Sequence, residues 1–400
     1  MLIPILLVAT LGHVLLWAAV VNRAHGVNLP RVAGHVTSAL CLLLLVTIPL
    51  LFGGWIHVAG WGTFLAAFRL WPVPAPGPML AALYVSVCAA VAVLALARWM
   101  WRNVMSGPPS VVRSQHTRIL SLRGVGEAVT SEEHAHHFLV HLPGNQMLHL
   151  DLSERAIEVP RLPAALDGFS IVHLSDFHFT GRVGKAYFRE VVRLANQAQP
   201  DLIALTGDLI DSPRCLDWIP EIFGRLHAPH GVCFVLGNHD LWSGYERVRE
   251  ALIGSGLINL GGRWLVVEAR GESLVLAGNE LPWIAPAADM RDCPQRDSRG
   301  GPVRIVLSHS PDQLPWAQAH DADLMLAGHT HGGQVRFPLL GPLLTPSRKG
   351  VAYASGVFYA PPTIMHVTRG VSGEFPLRLN CPPEMARLVL HAVEPDPPRP

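Results

Sequence analysis

The first hundred residues constrain this chain more than any other feature. Three runs, Met1–Val21, Val36–Phe52 and Met79–Ala97, are almost free of charge. Each approaches the roughly 20 residues that carry a helix across a bilayer. A removable secretory leader describes the first run poorly, because it lacks a basic start and a second apolar run follows closely. A fourth stretch, Trp55–Trp71, is broken by glycines and carries Arg69. With Trp55, Trp61 and Trp71 suited to the headgroup region, it reads as an interfacial or re-entrant segment.

Charge then sets the expected orientation. Arg23 and Arg31 lie after the first run, and Arg98, Arg102, Arg113 and Arg118 follow the third. The positive-inside rule places both groups in the cytoplasm. Three spans satisfy it with the N-terminus outside; four would send Arg98 and Arg102 to the far side. The expected location is the inner membrane, multi-pass, with the remainder of the chain cytoplasmic.

Beyond residue 102 the sequence is of ordinary globular character. A net charge of +1 offers no polyanion-binding surface, so nucleic acid is not an expected partner. Cys41 and Cys88 lie in apolar runs, and Cys215, Cys233, Cys293 and Cys381 are scattered without C-x-x-C spacing. Neither a disulfide framework nor a thiolate zinc site is expected from them. The expected organisation is a membrane region at 1–102, a linker and first strands at 103–162, an α/β domain at 163–390 and a disordered Pro-rich tail at 391–400. In the linker, "EEHAHHF", with His134, His136 and His137, reads as a solvated loop or strand edge. "FLVHLP" and "MLHLDL" have the alternation of short strands.

From Gly168 onward apolar strand-like runs alternate with helical periodicity at Tyr187–Ala198 and Gly244–Ile253. That pattern predicts an α/β domain with buried sheets. Five of the runs stop at residues able to bind a metal. "LSDFH" gives Asp176 and His178, "TGDLID" gives Asp208 and Asp211, and "LGNHD" gives Asn238, His239 and Asp240. "LSHS" gives His309, and "LAGHTHGGQ" gives His329 and His331. In such domains the carboxyl ends of strands are where sites assemble. So many polar side chains could not be buried without partners except at several kcal/mol each, and metal ions would satisfy them. Imidazole and carboxylate without thiolate suit Mn, Fe or Zn. The donors are too many for one ion and suit two, about 3.5–4 Å apart, holding a bridging hydroxide against a phosphoryl group.

Taken together, D-x-H, G-D-x-x-D, G-N-H-D, an isolated His and G-H-T-H-G-G-Q resemble the calcineurin-like metallophosphoesterase superfamily over roughly residues 160–380. The resemblance implies a four-layer α/β/β/α sandwich with a dinuclear centre at its edge. It implies that Asp176, His178 and His331 hold one ion, that Asn238, His309 and His329 hold the other, and that Asp208 bridges them. His239 would face the scissile phosphate, oriented by Asp211. Ser212 stands where the protein Ser/Thr phosphatases of the superfamily have an arginine, which argues against a phosphoprotein substrate. "GGQVRFP" and "VTRGVSGEFPLRLNCPPE" resemble a bacterial branch in which a membrane anchor precedes the phosphoesterase. Some members of that branch hydrolyse UDP-2,3-diacylglucosamine. The expected activity is hydrolysis of a phosphodiester or pyrophosphate, on a lipid-linked substrate in the first reading. Soluble nucleotides or small phosphoesters are the alternative substrates, with Arg291, Arg296 and Arg299 of the 286–301 loop as possible phosphate clasps. A metal-free membrane scaffold is a further alternative.

Overall fold

The computed structural model describes residues 2–62, 76–101, 109–125, 137–295 and 301–393. The side chains of His134, His136 and His137, together with Arg69, Trp71, Arg102, Arg296, Arg299 and the end of the Pro-rich tail, lie outside the described positions. The chain divides into two units.

The first unit contains α1 (Leu2–His25), α2 (Arg31–Ala59) and α3 (Pro76–Met100). Among the described residues these three helices are long and apolar enough to cross a membrane, and the chain is a multi-pass membrane protein. Trp55 continues α2 through Gly53 and Gly54 rather than opening a separate segment. Pro49 lies inside α2 and has no N–H, so it cannot bond the carbonyl of Leu45 one turn earlier. That carbonyl is satisfied from another helix. His13 Nε2 lies 3.1 Å from Leu45 O, and Nδ1 lies 2.6 Å from the Tyr84 hydroxyl. Since a carbonyl only accepts, Nε2 donates and Nδ1 accepts from Tyr84. One buried imidazole therefore joins all three helices, in the way that helix interruptions at membrane depth have to be repaired.

The second unit is the α/β/β/α sandwich. Among the described residues its first sheet has seven strands. Their order is β1 (Val112–Ser121), β2 (His149–Val159), β15 (Glu384–Ala392), β3 (Phe169–Leu174), β4 (Leu202–Thr206), β5 (Val232–Val235) and β6 (Ile258–Asn259). The second sheet has six, ordered β13 (Gly356–Ala360), β14 (Thr363–Val367), β10 (Leu324–Ala327), β9 (Val303–Ser308), β8 (Glu272–Asn279) and β7 (Trp264–Ala269). A small ribbon pairs β11 (Arg336–Phe337) with β12 (Gly341–Pro342). β3 to β6 run parallel, as do β8, β9, β10 and β14. Strands covered on both faces read as continuous apolar runs, and β3, β4, β5, β9 and β10 are buried at every position.

Alternation along each strand sorts the core into layers. Ile171, Leu276, Ile305, Leu326 and Leu388 meet between the sheets. Val172, Leu174 and Leu205 face outward and are covered by α4 (Lys185–Gln197), α5 (Trp218–Ile222) and α7 (Tyr245–Gly254). The outer face of the second sheet packs Val306, Met325 and Met365 beneath α8 (Leu314–Ala319). "FLVHLP" is a correction to the expected strands: His137–His141 is a 3-10 helix. Asn145 closes that turn, its amide donating to Leu139 O at 2.6 Å, and Gly144 takes a φ of +80°. β2 already has β1 on one side and β15 on the other, so it offered this segment no edge.

The inter-sheet layer also holds charge. Arg155 on β2 pairs with Glu384 on β15 at 2.8 Å, both buried, and Glu384 also accepts from Ser153 Oγ and Arg369 N. Removing one member of such a pair leaves the other uncompensated. Glu384→Ala is expected to destabilise the protein by about 3–5 kcal/mol. Thermal unfolding in detergent would check this, and an unchanged midpoint would show that the pair carries no such weight.

Candidate metal centre

The donors stand on the loops that leave the carboxyl ends of five parallel strands. β3 delivers Asp176 and His178, and β4 delivers Asp208 and Asp211. Just past β5, Asn238 and His239 open the short helix α6 (Asn238–Trp242). β9 delivers His309, and β10 delivers His329 and His331. Asp176, His178, Asp208, His329 and His331 all have positive φ, between 45° and 70°. A side chain in that region costs about 1–3 kcal/mol and persists where the surroundings over-determine it, which is characteristic of functional sites. Five strained donors on one edge point to a shared ligand.

The residues form three groups whose donor atoms lie within 4.8 Å of one another. The first contains Asp176, His178, Asp208 and His331. His178 Nδ1 is 3.0 Å from both oxygens of Asp211, to which it donates, so its Nε2 carries the lone pair. That Nε2 lies 3.1 Å from His331 Nε2, 3.7 Å from Asp208 Oδ2 and 3.8 Å from Asp176 Oδ1. Arg378, fully buried, donates to the carbonyl of His331 at 2.8 Å and to Ser372 O, fixing the backbone beneath this group.

The second group contains Asp208, His309 and His329. His309 Nδ1 donates to Thr206 O at 2.7 Å, which leaves a lone pair on Nε2 facing Asp208 Oδ2 at 3.0 Å and His329 Nδ1 at 3.1 Å. A lone pair held against a carboxylate oxygen is repulsive unless a proton or cation lies between them. Burial pushes the His309 imidazolium down, but Asp208 outweighs it and holds the group up at about 9. The field that favours a proton there favours a cation equally. Asn238 supplies an independent observation: its Oδ1 is buried and has no hydrogen-bond partner among the described residues. Buried amide oxygens are rarely left so, and a hard cation is one remedy. The donor set fits two ions with oxygen and nitrogen ligands.

Asp208 lies between the groups. Burial pushes its carboxyl up, yet His309 and His239 outweigh this and hold it well below the usual carboxylate range. The close approach of β5 requires glycine, because a Cβ at Gly237 would sit 2.2 Å from Asp208 Oδ1. Asp240, which the sequence offered among the candidate metal donors, belongs to none of these groups and instead accepts from Gly237 N, Leu209 N and Ile210 N at 2.9 Å. It sets the turn that carries Asp208.

The third group joins His178, Asp211 and His239. His239 Nδ1 lies 2.6 Å from Asp211 Oδ1, which leaves Nε2 on the opposite edge of the ring. Burial works against the imidazolium, but Asp208 and Asp211 prevail and raise it to about 10. The His239 side chain is 13% exposed, so it is the histidine of this group that reaches the opening. Its ring meets Trp242 at 4.9 Å, and Trp283 meets His329 at 4.7 Å. Arg291 pairs instead with Asp289 and is exposed.

Sequence reading missed a chain of hydrogen bonds behind the site. Arg155 only donates, so His366 Nε2, 3.2 Å away, accepts, and its proton sits on Nδ1. Nδ1 donates to His173 Nδ1 at 2.8 Å, and His173 Nε2 then donates to Thr206 Oγ1 at 2.8 Å. Burial holds His173 down at about 3, so it stays neutral. The only sequence signal was a histidine inside each of two apolar strands, "SIVHL" and "TIMHV".

A family profile described as calcineurin-like phosphoesterase matches residues 169–333, the span that holds every donor above. The chain is 31% identical over 252 residues to the metallophosphoesterase YkuE of Bacillus subtilis, covering 60% of this chain and 85% of that one. The chain belongs to the calcineurin-like metallophosphoesterases. It is similarly 32% identical over 229 residues to Phosphodiesterase YaeI of Escherichia coli, covering 56% of this chain and 82% of that one. A transmembrane protein with metallophosphoesterase domain from Danio rerio is 30% identical over 251 residues, covering 58% of this chain and 56% of that one. As a member of the family, this protein is a membrane-associated metallophosphoesterase, a hydrolase whose clustered His and Asp residues suit two metal ions.

A linkage prediction follows. His309 and His239 gain proton affinity on folding, so their contribution is complete below the ordinary histidine value of 6.5. It is lost as pH rises through about 9 and about 10. Chelator-treated protein is expected to lose thermal stability from about pH 7 upward. Adding Mn²⁺ should remove the His309 share of that slope, since an ion replaces its proton, and leave the His239 share. A flat profile without metal would contradict the coupling.

Proposed function

We propose that the protein hydrolyses a phosphodiester or pyrophosphate bond in a lipid-linked substrate, such as UDP-2,3-diacylglucosamine, at the cytoplasmic surface of the inner membrane. Asp176, His178 and His331 would hold one divalent ion, Asn238, His309 and His329 the other, and Asp208 both. The observation carrying this reading is the unsatisfied Asn238 Oδ1 beside two groups of converging lone pairs that share Asp208. When bound, two such ions supply a strong nucleophile from water at neutral pH and offset the charge of the phosphoryl oxygens.

The chain's own residues do the rest. Asp211 orients His239 and charges it, so that its Nε2 can donate a proton to the leaving oxygen or a hydrogen bond to a phosphoryl oxygen. Asp211 also fixes the tautomer of His178, and Thr206 O fixes that of His309. Outer partners of this kind orient ligands. We prefer a diester or pyrophosphate bond to a monoester. The name of the relative YaeI, a phosphodiesterase, agrees with that choice. Three membrane-spanning helices favour a substrate met at the bilayer, since a surface concentrates enzyme and lipid together. Arginines after α1 and α3 favour a cytoplasmic domain.

Detergent-purified, Mn²⁺-loaded protein should cleave UDP-2,3-diacylglucosamine as well as bis-p-nitrophenyl phosphate. Activity on the second alone would sink the lipid-linked reading and favour soluble phosphodiesters. His239→Gln should retain both ions by elemental analysis while turnover falls about 10²–10⁴-fold. Undiminished turnover would remove His239 from the chemistry. Asp208→Ala should lose both metal and activity.

A further inference from the structure

Directly after His331 the chain leaves the sheet as the ribbon of β11 and β12, with its tip at Pro338–Leu340. The four residues from Phe337 to Leu340 are all exposed. Leu339, at 86%, is the most exposed large apolar side chain among the described residues of this unit, and Leu344 adds another at 53%. Its turn is also strained. The Leu340 N–H donates to Pro338 O at 2.8 Å across a Leu339 with φ of +64°. That three-residue turn is rare, and its backbone favours glycine. A leucine at this place combines conformational strain with unfavourable hydration, so an apolar partner is needed to account for it.

We infer that the 336–344 ribbon is a membrane-contacting tip, which lowers Leu339 and Leu340 into the surface of the bilayer that holds the chain's own helices. A bilayer is at hand, because the same chain carries three helices long and apolar enough to cross one. The charge is complementary, since Arg348 and Lys349 follow the ribbon, are both exposed, and attract anionic headgroups. The size also discriminates. A few side chains at a ribbon tip fall well short of the roughly 800 Å² per partner of a stable protein interface, whereas an apolar tip with a basic flank is enough for interfacial contact. The ribbon is tied to the site by Arg336, whose Nε donates to Gly332 O at 2.7 Å. Contact at the tip would therefore hold the loop carrying His331 against the headgroups. The inference needs only that the chain is a membrane protein, and it stands whatever the substrate.

The test uses the full chain in nanodiscs. The six native cysteines are all buried, so single sites can be labelled. An environment-sensitive fluorophore at Leu339→Cys should shift to the blue and lose most of its emission when doxyl-labelled lipids are introduced. The same label at Ile253→Cys, an exposed helical position, should do neither. Exchanging zwitterionic for anionic lipid should strengthen quenching at 339, and Arg348→Glu with Lys349→Glu should abolish that gain. Leu339→Asp should still hydrolyse bis-p-nitrophenyl phosphate, which shows that it folds. An unquenched label at 339 overturns the inference. So does a label protected only when two copies associate, which would make the tip a contact between chains. If no lipid-linked substrate is ever turned over, the quenching result still decides this question separately from the proposed activity.

Discussion

The architecture of the site depends on one buried carboxylate, Asp208. It accepts the His239 N–H at 2.9 Å through one oxygen and faces His309 and His178 through the other. An isolated ionised carboxylate in this position would be driven to neutralise, and the surrounding imidazoles reverse that tendency. Its neighbours are arranged around this demand. Gly237 lets the chain leaving β5 come close enough to touch it, Asp240 fixes the turn that follows it, and two sheets converge so that histidines approach from both sides.

The sheets are joined behind that edge by a directional chain of hydrogen bonds. It starts at the permanent charge of Arg155, passes through two neutral imidazoles on opposite sheets, and ends at Thr206. Each link has only one possible donor, so the proton positions are fixed by elimination. Thr206 connects this chain to the site, because its carbonyl sets the tautomer of His309. Apolar packing fixes how far apart the sheets lie, but it is tolerant of sliding. A polar chain of this kind is not, because every displaced link would leave a buried group unsatisfied.

Much of this was legible in the sequence because the residues that bind ions have to follow buried strands, and buried strands announce themselves as apolar runs. The D-x-H, G-D, G-N-H-D and G-H-T-H elements each sit where an apolar run stops, so strand ends and donors could be read together. "FLVHLP" misled because alternation describes side chains and not partners; whether a neighbouring edge is open is a property of the assembled sheet. The same reason hid His173 and His366, whose meaning arises only when two strands 193 positions apart face each other. α2 runs on past the apolar run that marked it because Gly53 and Gly54 can be carried inside a helix in an apolar medium, and it stops at Gly60.

The position of β15 has a consequence for the order of events in synthesis. This strand lies between β2 and β3, pairing parallel with the first and antiparallel with the second. The β1–β2 pair therefore has no place in the sheet until residue 392 has been made, although it emerges more than two hundred residues sooner. Long-range closure of this sort is slow compared with local folding. The helices would be inserted well before the sheet closes, and the donors on β3 and β4 would wait in an open layer. Closure of the first sheet thus belongs to the last stage of folding, when the membrane helices have long been made.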